Sequence, residues 1–252
     1  MVIIGLILSL VVIILLSKRR DLVRGQLAFL ALFLLIGVFL GAHLLFFIVG
    51  LPDFIATYQG NTLADFLDAF LIASSGMVFY GGLLGGLLFL FIGCRIYQLP
   101  LRENLNNFAV AFPLFHCLGR IGCTLTGCCY GIEYHGPAAI HYDESFLNPG
   151  VNDGINDYSR FPVQLLEAAI ELLIFVVLLL IYIKKEDKYS ITCIYLLVYS
   201  VIRFADEFLR GDDLRGFWGP LSTSQWISIA IFIAVIIYLI VRRTQAKRVL
   251  HP

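Results

Sequence analysis

The residues with the most distinctive chemistry lie in one stretch, residues 119–131, which closes an apolar segment. It holds a single arginine, Arg120, together with four glycines and the three cysteines Cys123, Cys128 and Cys129. An arginine inside or at the edge of a membrane costs about 2.5–3.5 kcal/mol on insertion scales, so its presence there indicates a function. Glycines allow the backbone and a ligand to approach each other closely. We therefore predict a functional site here, to which other segments bring further polar groups.

A second polar set lies near the end of a later apolar segment. Tyr199, Arg203 and Glu207 are spaced by four residues, and Arg210 follows three residues later. In a helix this spacing places all four side chains on one face. Two interpretations remain open: an Arg–Glu pair that locks helices together, or an anion site in which Glu207 orients the Arg203 guanidinium toward a lipid phosphate.

The segment that begins at Arg160 predicts a helix start with two polar side chains. Pro162 is tolerated in a first helical turn, and Gln164 and Glu167 lie one turn apart on the same face.

Tyr80 lies within the glycine-rich residues 76–86 of an apolar segment. Small residues at this density are typical of close helix packing in membranes. Tyr80 is therefore either an ordinary interfacial tyrosine or a catalytic residue.

The six cysteines fall into two groups. Cys94, Cys117 and Cys193 lie in or beside apolar segments, where a thiol behaves as a small hydrophobic group. The cluster in residues 123–129 allows three interpretations: a metal site with nearby histidines, a disulfide on an oxidising face, or a reactive thiol whose pKa a nearby guanidinium lowers. The paired C-x-x-C spacing of common metal sites is missing, and we predict no metal. The nearby histidines are His116, His135 and His141.

Composition indicates the elements that must position these residues. Of 252 residues, 60% are hydrophobic and 14% are charged, whereas soluble domains are about half apolar and a quarter charged. The formal net charge of zero excludes a global field that attracts nucleic acid. We predict an all-α polytopic membrane protein with a single domain, 1–252. Its seven predicted spans are approximately 2–17, 26–50, 70–94, 105–121, 163–183, 189–205 and 223–241.

The positions of the cations predict the orientation. With seven spans, the loops rich in lysine and arginine all lie on one side, which the positive-inside rule makes the cytoplasm. The N-terminus is then outside and the C-terminus inside. Residues 130–161 form a long polar loop on the outer face, where a lid or binding element is expected. The outer side holds no lysine but five arginines, namely Arg120, Arg160, Arg203, Arg210 and Arg215.

Four motifs in order resemble those of the bacterial phosphatidylglycerol–prolipoprotein diacylglyceryl transferases. Tyr80-Gly81-Gly82-Leu83 is similar to the family's His-Gly-Gly-Leu. The stretch from Gly119-Arg120 to Gly131 resembles its Gly-Arg-x-Gly-Asn-Phe-x-Asn-Gly-Glu signature. Arg160-Phe-Pro-x-Gln164-Leu-x-Glu167 and Tyr199-x3-Arg203-Phe-x2-Glu207-Phe-x-Arg210 resemble its two later motifs, and Leu221-Ser222-x2-Gln225 follows as in the family.

The resemblance implies a reaction and its partners. The diacylglyceryl group of phosphatidylglycerol, a membrane lipid, moves to the cysteine thiol of a prolipoprotein signal peptide in the bacterial plasma membrane, and glycerol phosphate is released. No cofactor is required. The implied catalytic residues are Arg120, Arg203, Tyr80, Glu207 and Tyr199. The implied substrate-binding residues are Gly81, Gly82, Arg160, Gln164, Glu167, Arg210, Cys123 and Cys128.

The sequence departs from the family at several of these positions. Tyr80 stands where the family has histidine, and a phenol with a pKa of about 10 is a poor base at neutral pH unless a guanidinium lowers that pKa. Cys123, Thr126 and Cys128 stand where the signature has two asparagines and a glutamate. The alternatives are a lipid transferase with another acceptor or a covalent cysteine intermediate, a lipid-binding or carrier protein on the same fold, and a metal- or redox-dependent membrane protein.

Overall fold

The computed structural model describes residues 1–17, 24–58, 62–74, 79–142, 159–184, 190–212 and 217–250. Within these ranges the chain forms eight α-helices, a 3-10 turn and one two-stranded antiparallel sheet. The helices are α1 Val2–Ser17, α2 Arg24–Thr57, α3 Leu63–Ser74, α4 Phe79–Ile96, α5 Leu101–Thr126, α6 Val163–Ile183, α7 Ile191–Asp206 and α8 Thr223–Leu250. The 3-10 turn is Glu207–Leu209, and the strands are β1 Phe217–Trp218 and β2 Leu221–Ser222.

The prediction of a helical membrane protein is confirmed. Four helical stretches are long and apolar enough to cross a membrane: Gly25–Ile48, Leu101–Thr126, Val163–Ile183 and Thr223–Gln245. Val2–Leu16 and Gly81–Ile96 are shorter apolar helices. The predicted span 70–94 falls on two helices, α3 and α4, and residues 75–78 between them lie outside the described ranges. The predicted seven spans stay a prediction.

The chain divides into two compact units. One unit comprises Ile14–Asn104, and the other comprises Met1–Ile13 with Leu105–Pro252. The predicted loop 130–161 belongs to the second unit, and its residues 143–158 lie outside the described ranges.

The Ile14–Asn104 unit is built on the contact between α2 and α4. Gly37 and Gly41 on α2 face Gly85 and Gly81 on α4, so both helices carry a Gly-x-x-x-Gly motif. A methyl group on any of the four would overlap backbone of the opposite helix. Close backbone approach through small residues is how membrane helices pack without a hydrophobic driving force between them. The glycine-rich segment therefore packs two helices together.

In the second unit, backbone hydrogen bonds join three connecting segments into a small irregular layer. Gly131 pairs with Arg210, while Glu133 and Ile140 both pair with Arg160. We call residues 130–142, 159–161 and 209–212 the loop layer. It connects the end of α5, the start of α6 and the end of α7. The positions of these helix ends relative to one another are thereby fixed.

The first turn of α8 is held by a reciprocal cap. Gln225 Oε1 accepts a hydrogen bond from the Ser222 backbone N–H at 3.0 Å, and Ser222 Oγ accepts one from the Gln225 N–H at 3.2 Å. This is a capping box, in which an N-cap hydroxyl and the side chain three residues later satisfy two orphan donors. The Leu221-Ser222-x2-Gln225 motif thus sets where α8 begins.

Candidate functional site

Helices α5 and α6 face each other through a ladder of two basic and two acidic side chains. His116 and Arg120 lie one turn apart on α5, as do Glu167 and Glu171 on α6. Arg120 Nε lies 2.9 Å from Glu167 Oε2, and His116 Nδ1 lies 3.0 Å from Glu171 Oε1. His116 Nε2 lies 3.5 Å from Glu167 Oε1. The four side chains therefore interlock, and Glu167 contacts both bases.

The ladder is almost entirely hidden from solvent. The side chains of Glu167 and Glu171 are 3% and 1% exposed, and that of Arg120 is 12% exposed. Charges in such surroundings interact far more strongly than they do in water. A buried charge is also costly unless it is paired. The ladder is thus an electrostatically strong, pre-arranged centre.

A second ion-pair group lies at the end of α7. Arg203 Nη2 lies 2.7 Å from Glu207 Oε2, and Arg203 Nη1 lies 3.2 Å from Asp206 Oδ2. Arg203 Nη2 also donates to Ser224 Oγ in the first turn of α8 at 3.2 Å. The guanidinium is therefore oriented from two helices. The predicted pairing of Arg203 with Glu207 is what the structure shows.

The two groups meet through a carboxyl pair and an aromatic stack. The carboxyl groups of Glu167 and Asp206 lie within hydrogen-bonding reach of each other. The Tyr199 ring meets the His116 ring edge-on at 5.4 Å and stacks on Tyr195 at 5.6 Å. We call the joined set the polar network; its members are His116, Arg120, Glu167, Glu171, Tyr199, Arg203, Asp206 and Glu207.

Two predicted arginines lie in the loop layer. Arg210 Nε donates to Asp212 Oδ1 at 2.9 Å. Burial alone lowers the pKa of Arg210, but the bond to Asp212 and the charge of Cys129 outweigh it and raise the pKa. The guanidinium carbon of Arg160 lies 4.8 Å from the centre of the Tyr130 ring, a cation–π contact. Arg160 is thus packed against an aromatic ring, while Arg210 lies beside the cysteines.

The three clustered cysteines are brought together by the end of α5. The Gly127 N–H donates to the Thr124 carbonyl at 3.4 Å, and the Cys128 N–H donates to the Cys123 carbonyl at 3.1 Å. With φ +70° at Gly127, this is a Schellman motif, which places the side chain of its last residue near that of the residue five positions earlier. Cys129 has φ +56° and turns the chain back. We call residues 123–129 the cysteine turn.

The cysteine turn is held in place from α6. Gln164 Nε2 donates to the Cys128 carbonyl at 2.9 Å and to the Tyr142 hydroxyl at 3.1 Å. Hydrogen bonds from Cys123 and then Cys128, aided by the charges of Arg210 and Arg120, hold the pKa of the Cys129 thiol well below its usual range. Gln164 was predicted to contact substrate. It fastens the cysteine turn to α6, and its contact with substrate stays a prediction.

The Tyr80 motif lies in the other compact unit. The Tyr80 side chain is outside the described part of the structure, although its backbone belongs to α4. Gly81 and Gly82 are buried against α2, with Gly81 opposite Gly41. This contact supports the helix-packing interpretation of the motif. The predicted substrate contacts of Gly81 and Gly82 stay predictions.

Sequence reasoning missed four residues of the site: His116, Glu171, Asp206 and Ser224. Three signals were available. His116 precedes Arg120 by one helical turn, and Glu171 follows Glu167 by one turn, so each extends a face that was already recognised. Asp206 follows Arg203 by three residues, the spacing of a helical ion pair. Ser224 carries no such signal, because its contact with Arg203 depends on how α7 and α8 pack.

Comparison with known proteins identifies the family of this chain. The sequence model of the family described as prolipoprotein diacylglyceryl transferase matches residues 1–241. The phosphatidylglycerol–prolipoprotein diacylglyceryl transferase of Clostridium tetani (strain Massachusetts / E88) is 30% identical, over 88% of this chain and 83% of that protein. The protein of the same name from Finegoldia magna is 30% identical, over 92% of this chain and 85% of that protein.

A third relative, named phosphatidylglycerol–prolipoprotein diacylglyceryl transferase 2, comes from Clostridium perfringens (strain 13 / Type A). It is 33% identical, over 69% of this chain and 65% of that protein. The match to the family model covers nearly the whole chain, including α5 to α7, which carry the polar network. The chain belongs to the prolipoprotein diacylglyceryl transferase family.

Proposed function

We propose that this chain transfers the diacylglyceryl group of phosphatidylglycerol to the cysteine thiol of a prolipoprotein signal peptide. The thiol sulfur attacks the glyceryl carbon that carries the phosphate, a thioether forms, and glycerol phosphate leaves with the electrons of the broken C–O bond. The family match and the names of the relatives support this reaction. The observation that carries it is the pair of oriented guanidinium groups of Arg120 and Arg203, whose side chains are 12% and 11% exposed.

The leaving group explains why two arginines are needed. Negative charge grows on the phosphate as the C–O bond breaks, and fixed donors that face this charge lower the barrier. A guanidinium can meet a phosphate with two parallel hydrogen bonds. Glu167 orients Arg120, while Asp206 and Glu207 orient Arg203. In this proposal the carboxylates position the arginines, and the arginines bind the phosphate.

The incoming thiol must lose a proton, and the polar network offers an acceptor. His116 is the imidazole of the network, held between Glu167 and Glu171. A histidine between carboxylates is a common general base because its neighbours orient it and stabilise its protonated form. We assign proton transfer to His116. Tyr199, whose ring contacts that of His116, positions it.

The proposed arrangement in the membrane has seven spans, with the N-terminus outside and the C-terminus in the cytoplasm. Two features of the chain support it. The loops rich in lysine and arginine all fall on one side in this arrangement. The described part of the chain contains four helices long and apolar enough to cross a membrane and two shorter apolar helices.

The test is mass spectrometry of the purified full chain mixed with phosphatidylglycerol and a peptide that carries a lipoprotein signal cysteine. We expect the diacylglyceryl-cysteine adduct together with free glycerol phosphate. The matched control peptide carries serine in place of the cysteine and should remain unmodified. Lipid that binds without forming either product would contradict the proposal and favour a carrier.

A further inference from the structure

The cysteine turn has no role in the reaction as described so far. The Sγ atoms of Cys123, Cys128 and Cys129 all lie within 4.8 Å of one another. No described cysteine of the chain forms a disulfide. All three thiols are partly accessible, whereas Cys94, Cys117 and Cys193 are buried. Three accessible thiols this close together could act as donors to one ligand. Packing of the protein interior does not explain why they lie together.

The geometry of the turn keeps the three sulfurs together before any ligand binds. The Schellman motif brings Cys128 close to Cys123. Cys129 has a left-handed backbone, and its sulfur lies within 4.8 Å of the other two. Gln164, which is 1% exposed, fastens the Cys128 carbonyl to α6. A left-handed conformation is unfavourable for a residue with a Cβ atom and persists where surrounding structure enforces it. The turn is therefore preorganised.

The donor set matches a thiophilic metal ion in type and spacing. Zinc binds thiolates at about 2.3 Å, which places pairs of sulfurs about 3.8 Å apart around a tetrahedral ion. This separation lies within the 4.8 Å that contains the three sulfurs. Among the described residues, no histidine, aspartate or glutamate joins the group as a fourth ligand. Three protein ligands with one open position are the pattern of a catalytic, not a structural, zinc site.

Two positive charges lie beside the turn. They are the guanidinium groups of Arg210 and Arg120. A zinc ion with three thiolates carries one net negative charge, which these guanidinium groups balance. Arg120 belongs to the polar network as well, so the cysteine turn borders the place assigned to the leaving phosphate.

We propose that Cys123, Cys128 and Cys129 hold one zinc ion whose fourth position takes the thiol of the acceptor peptide. This inference rests on the proposed diacylglyceryl transfer and deepens it.

The chemistry needs no oxidant or reductant. The acceptor thiol binds the ion, and a thiol that coordinates zinc loses its proton. The proton passes to His116, and the sulfur attacks the glyceryl carbon. The C–S bond forms as the C–O bond breaks, with its electron pair going to the oxygen of glycerol phosphate. The thioether product binds zinc weakly because it is neutral, so it leaves the open position.

The first experiment uses cadmium as a spectroscopic substitute for zinc. The full chain, purified in detergent with a reductant, is titrated with Cd²⁺ while the ultraviolet thiolate-to-metal band is recorded. We expect one ion per chain. Adding the cysteine peptide should raise the band by about one third, as three thiolates become four. The serine peptide should leave the band unchanged.

Variants supply the controls. Cys123→Ser, Cys128→Ser and Cys129→Ser combined should abolish the band and zinc co-purification. Cys193→Ser, which changes a buried thiol of α7, should leave both intact. The single variants should weaken metal binding about 10-fold or more, so the proposal does not depend on the folding of the triple variant.

The outcomes separate this inference from the proposed reaction. A disulfide within the turn that persists under reductant, a chain that binds no metal, or a band that ignores the cysteine peptide would each overturn the inference. Full adduct formation by the triple variant would overturn it too, while leaving the diacylglyceryl transfer intact. Binding of metal and peptide thiol without any adduct from phosphatidylglycerol would support the site and contradict the proposed reaction.

Discussion

Glu167 contacts both bases of the α5 face, which makes it the residue on which the geometry of the polar network depends. Replacing it by glutamine keeps the shape but removes the negative charge that orients Arg120. We expect Glu167→Gln to lower kcat about 10²- to 10³-fold, the usual cost of losing an oriented charge contact in a buried site. The measurement is the initial rate of adduct formation.

The control for this variant is Glu133→Gln. Glu133 lies in the loop layer, its side chain is 52% exposed, and its side-chain partner is His135. An unchanged rate in Glu133→Gln with a lost rate in Glu167→Gln would assign the effect to the network. Equal rates in the two variants would contradict the role given to Glu167.

A variant of Arg203 can test whether the forked shape of the guanidinium is needed, and not only its positive charge. Arg203→Lys keeps one positive charge but cannot contact Asp206, Glu207 and Ser224 and also meet a phosphate with two parallel bonds. We expect kcat to fall about 10²-fold with the fold retained. The control is Arg95→Lys, because Arg95 lies over the Phe91 ring in the other unit. Full activity of Arg203→Lys would rule out the bidentate phosphate contact.

The residues show where sequence reasoning succeeds. The spacing of Tyr199, Arg203, Glu207 and Arg210 predicted one helix face. The structure pairs Arg203 with Glu207 one turn later, because helical periodicity is a local property. The prediction is wrong for Arg210, because α7 ends at Asp206 and Arg210 has an extended backbone that pairs with Gly131. The contact between Glu167 and Asp206 was out of reach, since it depends on the packing of α6 against α7. Local spacing therefore predicts the face of a helix, and tertiary packing decides its partners.

At the scale of elements, the close contact between the glycines of α2 and α4 allows a prediction about stability. Gly85→Ala places a methyl group against the Gly37 carbonyl and must push the helices apart. We expect a loss of about 1–3 kcal/mol in the free energy of unfolding, the usual cost of overpacking. Gly25→Ala is the control, because a methyl group there meets nothing within 4 Å. Thermal unfolding in detergent should show a lower Tm for Gly85→Ala alone.

The elements also show the limits of hydropathy. Apolar length predicted a span over 70–94, but α3 ends at Ser74 and α4 begins at Phe79. The predicted span 105–121 is the core of α5, which runs on through the start of the cysteine turn to Thr126. Hydropathy does not predict well where a helix ends, because a helix cap such as Gly127 depends on backbone conformation and not on polarity.

For the whole molecule, the distribution of lysine and arginine predicts the orientation. We expect a fluorescent protein fused after Pro252 to fluoresce, because it folds in the cytoplasm, and alkaline phosphatase fused at the same place to stay inactive. The matched control deletes the first helix and carries the same two reporters. Its C-terminal cations are unchanged, namely Arg242, Arg243, Lys247 and Arg248. An active phosphatase on the full chain would contradict the assigned orientation.

The buried ladder between α5 and α6 has a consequence for how the chain is made. Helix α6 carries Glu167 and Glu171 and no cation, so alone it would enter the bilayer with two uncompensated acids. The partners of these acids, His116 and Arg120, are on α5, which leaves the ribosome before α6. Helix α7 and the 3-10 turn that follows it, by contrast, carry Arg203 together with Asp206 and Glu207. The acids of α6 are therefore paired in the membrane only when α5 lies beside it. Arg203 of α7 has its acidic partners in the same segment of the chain.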